Sequence, residues 1–431
     1  MIEMPGVVSS VIRSVGLSTA MKAAGVVTGL LPIPQPMLLV GPGASKRLAQ
    51  ALAGFGHRKI LVVTDKGVAK LGLLKGFTQA LRKGGADFVV FDAVTADAPI
   101  PVIERGIAFY RRRGCDAIVA FGGGSPMDAA KAIAYSVANR KHPRKLVGYF
   151  KGLRAPVPVY AVPTTSGTGS EVTVAAVISD PDAGAKLVIA DTRLVPSMAA
   201  LDPSLMVGLP REVTAATGMD ALTHAVEAFL GQWANDYTDR MALAAVGLIY
   251  ENLPVVHRSP RNLEARERMA LAATYAGIAF TRANVGYVHA IAHQLGARYH
   301  TPHGLANAIM LAHVLRFLAP AVTKRLALLA VAAKVGGGGE RATVLARRFI
   351  ASIEAMNREL GIPEHVEALR EADIPSLASA ACWEADTNYP VPKYMSQGNC
   401  EAILRKVLRG PARETGSSRR PRRRAATARK G

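Results

Sequence analysis

Cysteine is scarce in this chain of 431 residues: Cys115, Cys382 and Cys400 are the three present, and no two of them stand in a CxxC spacing. That scarcity argues against a disulfide framework and a thiolate metal site, and fits a reducing cytoplasm. Long apolar runs are also missing, since none reaches the ~18–20 residues that a membrane span requires. The apolar stretch 24–41 is broken by Pro32, Pro34 and Pro36, and the first charge is Glu3, so no basic segment of a secretory signal is apparent. No internal repeat is present. Acids are few as well, 32 against 53 Lys and Arg, for a net charge of +21. Residues Pro411–Gly431 carry eight Lys or Arg and one Glu, so seven of those net charges sit in a segment without apolar periodicity. We expect a disordered basic tail over 409–431, with weak attraction to polyanions but no specific nucleic-acid partner.

What is present reads as a large globular protein, with half its residues hydrophobic and a fifth charged. Continuous apolar runs at 59–65 (KILVVTD), 88–94, 116–121 (DAIVAF) and 157–163 (VPVYAVP) predict buried parallel strands, with further extended stretches at 186–190 and 198–202. Helical patterns separate the first of them. Strands alternating with helices imply a doubly wound parallel sheet, an α/β dinucleotide-binding architecture. Beyond Leu209 the strand pattern stops and alanine-rich helical segments run to about Leu408. The expected division is an α/β domain over 1–206 and an all-helical domain over 207–408. The four glycines at Gly336–Gly339 predict a surface loop, because no strand feeds them.

Two loops follow predicted strands and are built for anions. In GGGSPMD (Gly122–Asp128), Ser125 fits an N-cap, Pro126 the first helical position, and Asp128 completes a capping-box-like pair. Glycines there let backbone N–H groups approach a diphosphate at a helix N-terminus. The loop is not GxGxxG, so a tight strand-to-helix turn explains it equally well. The second, Thr164–Ser170, holds five hydroxyls and two glycines at the end of the next strand, where α/β sheets bind ligands. Asp65 ends the first clear strand. A carboxylate there can accept from an adenosine ribose and repel a 2′-phosphate, favouring NAD over NADP; it could equally cap a helix.

Four of the ten histidines (His289, His293, His300, His303) fall within 285–304. His289 and His293 are four residues apart, on one face of a helix, and Asp220 and His224 repeat that spacing earlier in TGMDALTHAVEAF. Asp220, His224, His289 and His303 would supply one carboxylate and three imidazoles to a divalent ion, leaving a net charge near +1 that suits an oxyanion. On spacing alone His293 could be a fifth ligand. Phe280 and Tyr287 flank the approach to His289 and are candidate walls of a small substrate pocket.

GGGSPMDAAK, PTTSGTGSEVT, MDALTHAVEAF and HAIAHQLGARYHTPHG, in that order over about residues 30–408, resemble the iron-containing (group III) alcohol dehydrogenases. The resemblance implies a dehydroquinate synthase-like fold with an N-terminal dinucleotide domain, an all-helical C-terminal domain and the active site between them. It implies that Asp220, His224, His289 and His303 bind one metal and that His293 lies near the nicotinamide. Gly123, Gly124 and Ser125 would hold the diphosphate, while Thr164, Thr165, Thr168 and Lys186 line the cofactor cleft. Asp65 falls where the family places its cofactor-discriminating acid. Three positions depart: Gln294 and Ala312 stand where Pro is frequent, and Asp97 where Asn is common.

The expected activity is an NAD-dependent alcohol dehydrogenase or aldehyde reductase, acting on small alcohols or aldehydes as a homodimer or higher homo-oligomer. Fe2+ is implied by the resemblance, and the ligand types also accept Zn2+, Co2+ or Ni2+. The rivals are a dehydroquinate-synthase-like lyase that uses NAD transiently and a polyanion binder driven by the tail. A metal-free maleylacetate-reductase-like enzyme is excluded if all four ligands bind.

Overall fold

The computed structural model describes Met21, Gly25 and residues 31–409. The basic tail, Arg409 apart, lies outside the described residues. In chain order the first layer comprises β1 (Met37–Val40), α1 (Ala44–Gly54), β2 (Ile60–Asp65), α2 (Lys66–Lys70), α3 (Lys75–Lys83), β3 (Phe88–Val94), α4 (Ile100–Arg113), β4 (Ala117–Gly122) and α5 (Gly124–Asn139). Then come β5 (Gly148–Tyr149), β6 (Val159–Pro163), β7 (Ala175–Asp180), β8 (Ala185–Ala190) and β9 (Met198–Leu201).

Six of these strands form one parallel sheet in the order β1-β9-β6-β4-β2-β3. Both faces are covered, which is why β2 and β4 read as unbroken apolar runs. Leu61, Val63, Ile118 and Ala120 pack with Ile103 and Ile107 of α4 and Ile133 of α5. Their sequence neighbours Ile60, Val62, Val119 and Phe121 pack on the opposite side with Leu48 and Leu52 of α1 and Phe77 and Leu81 of α3. From β2 the chain steps outward to β3 and then returns to β4 on the other flank. The switch point thus lies between the carboxyl ends of β2 and β4, where such sheets hold their ligands.

Residues 186–190 do not join this sheet. β8 pairs antiparallel with β7 and parallel with β5 in a separate three-stranded sheet. Its first four residues are half-buried or exposed, unlike the fully enclosed strands of the main sheet. An apolar run identifies a strand but not the sheet that receives it.

The helical part comprises α6 (Arg211–Leu230), α7 (Asp236–Arg258), α8 (Leu263–Ala283), α9 (Tyr287–Tyr299), α10 (His303–Ala332), α11 (Ala342–Glu359), α12 (Ile374–Asn388) and α13 (Gln397–Lys406). α6 is its axis: every residue from Gly218 to Leu230 is buried, so this part of the helix is enclosed on all sides, while its first residues are exposed. α10 is long and apolar enough to cross a membrane by composition, yet most of it is buried within the protein. Pro320 and the non-helical Val322 kink it. Gly336–Gly339 form the loop between α10 and α11.

Candidate metal centre and cofactor cleft

α6, α9 and α10 converge on one point. Asp220 and His224 project from α6, His289 from α9 and His303 from the first residue of α10. One donor atom from each lies within 4.8 Å of all the others. His303 Nε2 stands 3.5 Å and His289 Nε2 3.9 Å from Asp220 Oδ1. Four ligands at ~2.0–2.1 Å from a tetrahedral ion would be roughly 3.4 Å apart, so the spacing fits.

The lone pairs fit as well. Asn307 Nδ2 donates to Asp220 Oδ1 at 2.7 Å and lies 3.2 Å from both His289 Nε2 and His303 Nε2. An amide has two protons for these three acceptors, so one lone pair is always left over. His224 Nδ1 is buried without any hydrogen-bond partner. Burial also keeps the rings neutral, as ligands must be: it lowers the pKa of His224, pushes that of His303 down to about 4, and holds His289 well below the usual histidine value. A divalent ion is the partner this donor set lacks.

Behind the quartet stands Glu227, one helical turn beyond His224. Its Oε2 accepts from His289 Nδ1 at 2.6 Å and from Gly286 N at 2.9 Å, while Oε1 accepts from Val288 N at 2.7 Å. The proton on Nδ1 is thereby fixed and Nε2 is left to the metal side. Burial pushes the Glu227 carboxyl up to about 7. Glu227→Gln is expected to lower metal affinity about 10- to 100-fold, because an amide nitrogen would face a donor. Titration of the metal-free variant with Fe2+ or Zn2+ checks this, and unchanged affinity would contradict it.

His293 lies outside the four-donor set. Its ring stacks on His303 with centroids 5.3 Å apart, and its Nδ1 is 2.6 Å from Glu384 Oε1. Phe280 stacks on His224, centroids 4.2 Å apart and nearly parallel, and is half-buried. Tyr287 lines a small cavity beside Glu227, Gly286 and Val288. It is fully enclosed, donating its hydroxyl to Asp386 Oδ1 and accepting from Met395 N, so it ties α9 to the helices beyond.

The cofactor candidates gather at the switch point. β4 and β6 are paired through Gly122 and Pro163, so the loops after them leave side by side. A Cβ on Gly124 would come within 2.9 Å of Thr168 Cγ2, which is why the two loops can close together. Gly123, Gly124, Ser125, Thr165 and Thr168 are half-buried, and Thr164 is buried with its N–H donated to Gly122 O. Helix α5 begins at Gly124 with Gly123 as N-cap, and no side chain caps it. The expected capping box is therefore corrected: Ser125 Oγ instead accepts from Asp97 N at 3.1 Å, and Asp128 accepts from Ser170 Oγ. With no side-chain cap, the amides of Gly124 and Ser125 at the helix start can face an anion.

Asp65 caps α2, its Oδ1 accepting from Val68 N at 2.9 Å. Oδ2 lies beside Gly122, 3.5 Å from where a Cβ would sit. Lys186 pairs at 2.9 Å with Asp97, whose own N–H donates to Ser125 Oγ, and its charge helps lower the pKa of His303, so a chain of contacts runs from the diphosphate loop towards the metal end.

Lys131 carried no signal in the sequence reading. It is fully buried, and its Nζ donates to the carbonyls of Ser170, Thr173 and Ala175 at 2.6–3.0 Å. Those bonds tie α5 to the hydroxyl-rich loop. The same loop docks on α8, where Gly169 (φ 59°) lies so near Gly277 that a Cβ would meet its Cα at 2.8 Å. Asn307 and Glu227 were legible in principle, four residues after His303 and three after His224; Lys131 and Glu384 were not.

A parallel sheet with ligand loops at its switch point, facing a helical layer with a three-imidazole, one-carboxylate centre, defines a dinucleotide- and metal-dependent oxidoreductase. Residues 35–203 match the family of iron-containing alcohol dehydrogenases and residues 214–408 its C-terminal part. The chain belongs to that family, whose members are NAD- and iron-dependent. It is 39% identical to a 1,3-propanediol dehydrogenase of Klebsiella pneumoniae over 85% of this chain and 96% of that one. It is 37% identical to an NAD-dependent methanol dehydrogenase of Bacillus methanolicus over 80% of this chain and 91% of that one. The crystal structure of a 1,3-propanediol oxidoreductase superimposes with a TM-score of 0.85 at 37% identity, covering 88% of this chain and all of that one.

Proposed function

We propose that the chain interconverts small alcohols and their carbonyl compounds with NAD, using a divalent ion held by Asp220, His224, His289 and His303. The observation that carries this reading is the convergence of three buried donors and the half-buried His303, with more acceptor lone pairs than Asn307 can satisfy. Residues 1–206 would serve as the dinucleotide domain and 207–408 as the metal domain. Fe2+ is the expected ion, and Zn2+ suits the same ligands.

The bound ion supplies a Lewis acid for the alcohol oxygen. Glu227 orients His289, and Phe280 backs the ring of His224 and limits the room for substrate. The amides of Gly124 and Ser125, with the helix dipole of α5, take the diphosphate. Hydroxyls of Thr164, Thr165 and Thr168 and the ammonium of Lys186 line the cofactor cleft. A bound nicotinamide would supply the hydride acceptor, and the nitrogen of His293 not bonded to Glu384 would take the hydroxyl proton.

The test is a scan of short alcohols, diols and aldehydes with NAD and NADP, following reduced nicotinamide by absorbance, before and after chelation. Turnover that survives removal of the metal would sink the proposal. In the same assay Asp65→Gly is expected to raise efficiency with NADP by relieving repulsion of the 2′-phosphate. Loss of the cap itself should cost only a few tenths of a kcal/mol, since Gly is tolerated at an N-cap. A wild-type preference for NADP would contradict the assignment of Asp65.

A further inference from the structure

We propose that Glu384 is a positioning residue for this reaction: its carboxylate fixes the ring of His293 with the proton on Nδ1 and leaves Nε2 as the nitrogen available to the cleft. The inference rests on the reading of His293 given above.

The carboxylate is held by three donors. His293 Nδ1 lies 2.6 Å from Oε1, Tyr389 donates its hydroxyl to the same oxygen at 2.6 Å, and Gln294 Nε2 donates to Oε2 at 2.7 Å. An ionised carboxylate only accepts, so Nδ1 must carry the hydrogen. At that length the bond is charge-assisted, and both side chains are largely withdrawn from water, 21% and 18% exposed.

An imidazole has a nearly two-fold torsion about its last bond, so a ring without a fixed partner can exchange its two nitrogens by flipping. His293 sits where such a flip would matter. Its ring lies flat on His303 with centroids 5.3 Å apart and edge-on to His289 at 6.1 Å. Stacking on His303 fixes the plane of the ring but not which nitrogen points where. Among the described residues, the hydrogen bond to Glu384 is what distinguishes the two orientations. Tyr389 and Gln294 in turn hold the carboxylate, so it cannot follow a flipped ring. Glu384 reaches this position from α12, 91 residues away in sequence, which is why no local motif announces it.

The experiment compares Glu384→Ala, Glu384→Gln, His293→Ala and the double variant Glu384→Ala/His293→Ala as full-length, metal-loaded enzymes. Glu384→Ala is expected to lower kcat about 10- to 100-fold, as loss of a histidine's orienting partner does, with little change in KM for NAD. Glu384→Gln keeps a carbonyl acceptor for Nδ1–H and should recover most of that loss. In the His293→Ala background, Glu384→Ala should produce no further fall, because its effect passes through the ring. Nitrogen-15 NMR of the zinc-loaded protein should show His293 in the Nδ1–H form, and a mixture of tautomers once Glu384 is removed. If Glu384→Ala does not fold, Glu384→Leu keeps the bulk, removes both acceptors and serves the same comparison. A rate loss that persists undiminished without His293, or an unaltered tautomer, overturns the proposal. The NMR measurement reads the ring whether or not an alcohol is turned over. A protein inactive toward every alcohol, yet with a Glu384-dependent His293 signal, would therefore count against the functional reading and for this one.

Discussion

His289→Ala is expected to empty the metal site and abolish turnover. The substitution removes one of three imidazoles and, with it, the partner of Glu227. Two histidines and Asp220 remain, a set that can still bind a divalent ion, so the loss shows as an affinity too weak to survive purification, because one bond is gone and Glu227 no longer orients a ligand. Leaving a buried acceptor without one of its donors typically costs about 1–3 kcal/mol, more when the acceptor is charged. Here the loss should sit near the lower end, because burial already pushes Glu227 up to about 7 and the orphaned carboxyl can take a proton near neutrality. The amides of Gly286 and Val288 still bond to it. The folded protein should therefore survive without metal. His293→Ala provides the contrast: it should retain the ion and lose rate, since His293 is outside the donor set. Elemental analysis beside steady-state kinetics decides both, and a His293→Ala protein purified without metal would overturn the ligand assignment.

Much of this centre could be read before folding because helical spacing is a geometric statement. Asp220 and His224, four apart, had to share a face, and the structure brings both to the point where His289 and His303 arrive. Glu227 sits on the same helix and was passed over. Its place three residues after His224 put it within reach of the site, but its role depends on the N-terminus of α9 presenting two amides and an imidazole to it, a tertiary event. Asp65 was legible as a strand-end carboxylate, yet sequence could not separate a helix cap from a ligand contact; the cap is real. At Gly122–Asp128 residue preference misled, because a Ser–Pro pair usually caps at Ser and starts a helix at Pro, here Pro126, two residues later than the observed start. The chain instead begins α5 at Gly124 and turns Ser125 toward Asp97. β7 alternates along Ala175–Asp180 and pairs with β8, so the extended stretch at 186–190 belongs to a second sheet. Period and spacing reveal elements and faces; which elements meet is decided by packing.

Gly304→Ala is expected to damage both stability and metal binding, although no charge or ligand is touched. Gly304 follows His303 in the first turn of α10, where the helix crosses α6. A Cβ there would lie 2.4 Å from the carbonyl oxygen of Ala216, 2.8 Å from its carbonyl carbon and 3.2 Å from Cβ of Asp220. Helix propensity favours alanine over glycine by about 0.8–1.0 kcal/mol in a helix interior, so the intrinsic preference opposes the prediction. The clash should win, since its partner is the backbone of a helix that no side-chain rotation can relieve. Overpacking of this kind costs about 1–3 kcal/mol. Relief requires α10 to move away from α6, which separates His303 from Asp220, now 3.5 Å apart between Nε2 and Oδ1. The variant should melt several degrees lower and bind metal more weakly, with the two defects rising together. Calorimetry and metal titration on one preparation test this. A Gly304→Ala protein with unchanged affinity would show that α10 can shift without carrying His303 out of the site.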